Sequence, residues 1–447
     1  MSKIRLHGTS SGYVEIAPAA AAGNNTLTAP STVGEIIAKD AAGAIGVTSV
    51  HTTNIVATGT TKVGAAVTIT ESGIEASGIG ITCANINGTQ IGGRRNFIIN
   101  GAMQIAQRAT SQASITSSGY FNVDRFRTAL NTGTVTTSQS TDVPTGEGFK
   151  NSFKVDVTGA DTSLSGTNFL HVQQPIEGQN LQSLNYGTSG AKTITLSFFV
   201  KSNKTGIYCI SLEKTDNTRY DYTAEYTINS ANTWEKKTIT IAPDSNIKAA
   251  GGAIDNDNGK GFNLKFCLAA GGDRDNGVNN TWNVGTNHST SNQVNLLDST
   301  SNEWYVTGVQ LEIGTQATAF EHYNFAEELA LCQRYCMKWW NHGDTTNNHS
   351  RFAPGYYSTT TAAALFFTHP VPMRATDGRT LTHNIGNMEQ MTGGGNSNSL
   401  SIMSDGSYST STAVLITGLS GVTQNNIYVG RVGSGQTNWY IIISSEL

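Results

Sequence analysis

Residues 303–340, EWYVTGVQLEIGTQATAFEHYNFAEELALCQRYCMKWW, decide how the rest of the chain is read. Trp304 and Val306, then Val309, Leu311 and Ile313 beyond Gly308, alternate as in a strand. A polar turn follows, and Asn324 opens the strongest helix signal of the chain. Its side chain can cap the first backbone N–H groups, and Glu327 stands three residues on, as in a capping box. Phe325, Leu329, Cys332 and Cys336 recur at helical spacing, Trp339 and Trp340 add bulk, and Gly343 supplies a stop. The pattern predicts one strand joined to one helix that runs to about Trp340 and links two β domains.

Outward from this stretch the chain is rich in Gly, Thr, Ser and Asn. Its 447 residues fit about two or three domains. Charged residues make up 13% and there are only 8 Pro, while aromatics are spread along the length. That is a folded, β-rich composition rather than a disordered one. Net charge is −4, and no basic cluster exceeds Arg94-Arg95, which argues against nucleic acid as a partner. The opening residues hold no apolar signal core, and no apolar run is long enough for membrane insertion. Cys83, Cys209, Cys267, Cys332 and Cys336 are odd in number, which fits free thiols made in a reducing cytoplasm better than a disulfide framework.

In residues 1–50, short strand-like pieces such as Ile4–Leu6 and Tyr13–Ile16 alternate with glycines, too few apolar groups for a core of their own. In residues 51–93, Ile69, Ile74 and Ile79 are five apart, as are Ile81, Ile86 and Ile91. That period suits neither a helix nor a continuous strand. It predicts glycine-broken rungs that several chains must bury together, a trimeric β shaft. Residues 94–342 carry about ten strand patterns, including the alternation Ile194, Leu196, Phe198, Val200, which predict a β-sandwich of jelly-roll type ending in the helix. Residues 343–447 predict a terminal β domain, with Thr392–Asn398 as a loop.

Several stretches together resemble bacteriophage tail fibres and related virion fibre proteins, notably those of marine phages. These are IRLHGTSSGYVEIAPAAAAGNNTLTAP, RRNFIINGAMQIAQRAT with Val123–Phe126, Thr195–Lys201, residues 303–340, Pro370–Arg374, and the final Ser445-Glu446-Leu447. The resemblance implies a homotrimeric fibre. Residues 1–50 would attach it to a tail or other virion protein, and the fibre would contact polysaccharide on the host surface. Three copies of Leu329, Cys332 and Cys336 would then pack near the threefold axis, with Glu327, Glu328, Arg334 and Lys338 facing out.

Sugar recognition needs exposed aromatic faces beside amides and hydroxyls. Tyr356 and Tyr357 are consecutive, so a strand turns one of them outward. Trp282 stands in a Gly- and Asn-rich stretch with little else to explain its size. These three are the expected glycan-binding residues. Asp124, Asp156, Glu177, Glu213 and Asp221 are carboxylates of the kind glycoside cleavage uses, but the sequence pairs none of them, and no nucleophile elbow or phosphate loop is present. A non-enzymatic adhesin is therefore expected, and a fibre with polysaccharide depolymerase activity, or a purely structural virion connector or head decoration, are the alternatives. Glu312 is expected in a core hydrogen-bond network and His322 in a structural role. Asp255–Gly259 fails the EF-hand spacing, and no His or Cys pair has zinc spacing, so no metal and no cofactor are expected.

Overall fold

The computed structural model describes residues 4–7, 13–16 and 94–447, apart from 286, 341–350, 386–387, 390–398, 404–406, 421 and 433–438, with backbone alone at 4–7, 13–16, 351, 388–389 and 431–432. The six shaft isoleucines and the loop Thr392–Asn398 lie outside the described residues. Ile4–His7 and Tyr13–Ile16 pair as an antiparallel hairpin, in a unit separate from the one that holds residues 94–447.

Two six-stranded antiparallel sheets form the sandwich. The first runs Thr281–Val284, Tyr220–Ile228, Gly206–Lys214, Lys260–Ala270, Phe169–Glu177, Arg127–Leu130. The second runs Glu235–Ile241, Ile194–Ser202, Glu303–Ile313, Ser152–Gly159, Thr134–Ser140, Ser111–Ile115. Successive strands cross repeatedly from one sheet to the other, the winding of a jelly roll. Alternate residues of both sheets meet in one core, where Phe198, Phe266, Trp304 and Leu311 are fully buried.

Glu303–Ile313 lies inside the second sheet, and its broken alternation has a physical cause. The register slips between Thr307 and Gln310, a bulge at Gly308, so Val306 and Val309 both face the core although three residues apart. Gly308 has φ +62°, and a Cβ there would meet Phe149 at 2.6 Å. Residues 96–101 close over the bulge. Asn96 Nδ2 donates to Val309 O (3.1 Å), Leu311 N donates to Asn96 Oδ1 (3.0 Å), and Val309 N donates to Gly101 O (3.0 Å).

The helix spans Phe325–Gln333, with Asn324 capping Glu327 N as expected. It does not reach Trp340. Arg334 closes it, and Cys336–Trp340 is a strand that pairs with Tyr440–Ser444. The alternation of Met337 and Trp339 (inward) with Lys338 and Trp340 outweighs the helical spacing of the cysteines, because the strand has a partner and a core to enter. The threefold packing expected of this helix is also corrected. Cys332 is buried in its own chain with Ile99, Ile105 and Tyr335; Glu328 is buried and accepts from Asn100 N; Arg334 binds Glu177. Glu312 does sit in a buried network, accepting from Gln310 Nε2 (2.9 Å) and Thr318 N (2.8 Å). His322 packs on Phe149 and Phe320.

The C-terminal domain stacks the three-stranded sheet Cys336–Trp340, Tyr440–Ser444, Thr380–Asn384 on a six-stranded one. The latter runs Met388–Glu389, Ile427–Val432, Arg351–Tyr357, Ala362–Thr368, Ser411–Thr417, Ser399–Ile402. A dense joint ties it to the sandwich. Glu177 accepts from Arg334 Nε and Nη2 (both 2.7 Å) and from the Tyr335 hydroxyl; Arg125 lies 3.4 Å above the Tyr335 ring and binds Glu446.

Candidate functional site

The outward side of the first sheet carries a polar array that the strand alternation itself creates. With Tyr208, Ile210, Leu212, Tyr222, Leu264 and Phe266 turned to the core, their neighbours point away from it. Register places these neighbours in three rows. Asp221, Glu213, Asn263 and Pro175 form one; Thr223, Ser211, Lys265, Gln173 and Arg127 the next; Glu225, Cys209, Cys267, His171 and Ala129 the third.

An outward face is normally solvated, but most of this one is buried. Segments on either side of the edge strand Thr281–Val284, around Gly277 and around His288–Thr290, lie across it. Thr290 Oγ1 donates to Glu225 Oε1 (2.5 Å), Cys267 Sγ to His288 O (2.5 Å), and the rings of His171 and His288 meet edge to face at 4.5 Å. A Cβ at Gly277 would stand 2.7 Å from Thr223 Oγ1, so only glycine lets its segment come this close.

The charges are partly matched. Glu213 binds Lys265 Nζ (2.8 Å) and Arg219 Nη2 (3.1 Å), and the same Arg219 nitrogen stands 3.6 Å from Asp221 Oδ2. Burial alone would raise the Glu213 carboxyl, but Lys265 beside it brings it down to about 2. Asp221 goes the other way: burial pushes it up to about 6 against the pull of Lys265 and Arg219. Burial, with Lys265 and Arg274 nearby, brings His288 down to about 2, and burial next to His288 lowers His171 as well.

The hydrogen bonding is not complete. Ten buried side-chain atoms at this face have no hydrogen-bond partner among the described residues. They include both Asp221 carboxylate oxygens, Thr223 Oγ1, Ser211 Oγ, Asn263 Oδ1 and Ser289 Oγ. Buried polar groups are nearly always satisfied, so this concentration calls for hydrogen-bonding partners beyond the described side chains, ordered water among them. Donors and acceptors interleave, which suits a hydroxyl-rich ligand. Sequence reasoning saw Glu213 and Asp221 as isolated carboxylates and missed the rest. The alternation of Cys209, Ser211 and Glu213 with Tyr208, Ile210 and Leu212 was the available signal.

The aromatic expectations divide. Trp282 is only 4% exposed: it lies on Thr281–Val284, its Nε1 donates to Ala242 O (3.0 Å), and Tyr222 packs edge-on against it. This corrects its reading as a solvent-facing platform, because an edge strand, not a loop, turns it inward. Tyr357 is also buried, against Tyr428. Tyr356 does face outward at 41% exposure, stacked with Phe366 and opposite the exposed Ile427.

Of the other carboxylates, Asp124 and Glu177 belong to the joint and Asp156 lies near Lys154 on the second sheet. Asp255–Gly259 is a turn in which Gly259 N donates to Asp257 Oδ1 (2.8 Å) and Asn258 Nδ2 to Arg374 O (2.7 Å). Among the described residues no three His, Cys, Asp or Glu converge as a metal site.

No protein-family model matches the chain, and no curated protein does. Among solved structures it is similar to the enzymatically active domain of bacteriophage CBA120 tailspike protein 4, at 14% identity and TM-score 0.25, over 49% of this chain and 21% of that one. It is likewise similar to the family 11 carbohydrate-binding module from Clostridium thermocellum in complex with a mixed-linked tetrasaccharide, at 13% identity and TM-score 0.22, over 47% of this chain and 98% of that one. The chain thus spans about a fifth of the tailspike domain's length.

Proposed function

We propose that this chain is a virion fibre subunit that binds glycan on a host cell surface and uses the polar face of the sandwich for recognition. The observation that carries the glycan reading is the set of buried, partnerless donors and acceptors on that face. A saccharide offers hydroxyls that both donate and accept, so one ligand class can satisfy all of them. Residues 1–50 attach the fibre to a tail or other virion protein. Residues 51–93 wind three copies into a shaft, because isolated isoleucine rungs need sister chains to bury them. Three sites per fibre convert weak contacts into avidity. The role is adhesion, and the virion is the location. To test it, labelled full-length protein is added to bacterial cells before and after periodate oxidation of their surface sugars. Periodate-sensitive binding is expected; binding that survives oxidation on every strain tested would defeat the reading.

One observation favours a second reading, cleavage of the bound glycan. Glu213 and Asp221 are direct cross-strand neighbours held at about 2 and about 6, the kind of division that separates an ionised carboxylate from a protonated acid. Release of new reducing ends from a bound polysaccharide would distinguish cleavage from adhesion.

A further inference from the structure

Solvent reaches little of the polar face just described, because two segments close over it from either side of the edge strand Thr281–Val284. Residues 274–280 lie over Thr223, and residues 287–293 lie over Cys209, Cys267 and Glu225.

The way they are held sets these segments apart from the rest of the sandwich. Apart from Trp282, no described residue of 274–293 enters the hydrophobic core. Val278 and Val284 are exposed, whereas the polar His288, Ser289 and Thr290 are buried. The inner contacts are hydrogen bonds and the edge-on meeting of the His288 and His171 rings. Glu225 gathers both segments: its Oε1 accepts from Thr290 Oγ1 (2.5 Å) and Asn292 Nδ2 (3.0 Å), and its N donates to Asn279 Oδ1 (3.0 Å). The segments also hold each other, with Gly277 N donating to Ser289 O (2.9 Å) and His288 N to Arg274 O (2.8 Å). Trp282 between them is fixed by the core and by its bond to Ala242 O, and Gly285 after the strand has φ +131°, a backbone that glycine adopts freely. Regions held without buried apolar contacts are those that open locally while a core stays folded.

We propose that these segments are two flaps that open on either side of Trp282, with the Glu225 carboxylate as their catch, and that ligand reaches the polar face in the open state. That the ligand is a saccharide rests on the glycan-binding reading; the opening itself does not.

Two of the chain's own thiols report the opening. Cys209 and Cys267 lie under residues 287–293, where Cys267 Sγ donates to His288 O (2.5 Å) and Thr290 N donates to Cys209 Sγ (3.5 Å). Cys332 and Cys336, buried at the joint, are the internal control. Native full-length protein is treated with N-ethylmaleimide, and labelling at each cysteine is followed by peptide mass spectrometry. Cys209 and Cys267 should be labelled faster than Cys332 and Cys336 by about tenfold or more. Thr290→Val removes one hydrogen bond to the catch and no core contact; it should speed labelling of the first pair about tenfold and leave the second pair unchanged. Amide hydrogen exchange gives a second reading, in which residues 287–293 should exchange well before Gly206–Lys214. Labelling of all four cysteines at one rate in both proteins, or exchange in 287–293 as slow as in Gly206–Lys214, overturns the proposal. Fast labelling of Cys209 and Cys267 in a protein whose cell adhesion resists periodate would uphold the flaps and defeat only the glycan reading.

Discussion

Asp221→Asn should stabilise the protein at neutral pH and not in acid. The Asp221 side chain is fully buried, and beyond the Arg219 guanidinium 3.6 Å away its oxygens have no hydrogen-bond partner among the described residues. Burial, opposed by Lys265 and Arg219, moves its carboxyl from 3.8 to about 6. A shift of that size corresponds to about 3 kcal/mol. Because the folded-state value is the higher one, the folded protein holds the extra proton between pH 3.8 and about 6. Stability therefore falls as pH rises through that window, and above it the ionised side chain costs the full amount. Asparagine cannot titrate. The variant's unfolding free energy relative to the parent should accordingly grow by about 3 kcal/mol between pH 3.5 and pH 7.5. Asp124 is also raised to about 6, but it is present in both proteins and cancels in the difference. Urea unfolding followed by tryptophan fluorescence across the pH range measures this. A difference that stays flat with pH, or shrinks, would refute the account of Asp221 as a buried acid whose desolvation outweighs the pull of Lys265 and Arg219.

Arg334→Ala leaves the Glu177 carboxylate buried without its bidentate partner, and should cost about 3 kcal/mol in denaturant unfolding. Gly308→Ala forces a Cβ into the Phe149 ring at a positive φ, and a loss of roughly 1–3 kcal/mol should appear as a lower Tm. Trp282→Ala opens the core and should cost about 3–5 kcal/mol, whereas Tyr356→Ala removes an exposed ring and should stay within about 0.5 kcal/mol. Equal effects of the last pair on Tm would contradict their assigned positions.

Strands of the sandwich were legible where their alternation is strong: Ile194–Ser202 and Glu303–Ile313 form where Ile194, Leu196, Phe198 and Val200, and Trp304 to Ile313, alternate. Thr134–Ser140 and Ser111–Ile115 were not, since TVTTSQS and SQASI hold few apolar residues and depend on neighbours for their pairing. Cys336–Trp340 misled for a different reason. Five residues fit a helical and a strand period equally, and the choice was made by Tyr440–Ser444, about a hundred residues away. The stretches that carry the fibre resemblance converge on the joint: Asn100 with Glu328, Arg125 with Glu446, Arg374 with Ser445. They mark the framework rather than the polar face of the sandwich. The polar face stayed hidden because it exists only through register. Asp221 and Glu213 are eight residues apart in sequence, whereas Lys265 and His171 reach them from other strands.

The most direct test of the polar face as the glycan site is the double variant Ser211→Ala, Thr223→Val. Both hydroxyls are buried and have no hydrogen-bond partner among the described residues, so deleting them breaks no hydrogen bond seen there, and stability should hold or rise by about 1 kcal/mol. Calorimetric titration with a polysaccharide from a strain whose cells bind the protein periodate-sensitively should show affinity reduced about tenfold, equivalent to about 1.4 kcal/mol. Parental affinity in a folded double variant would contradict the assignment of glycan recognition to this face.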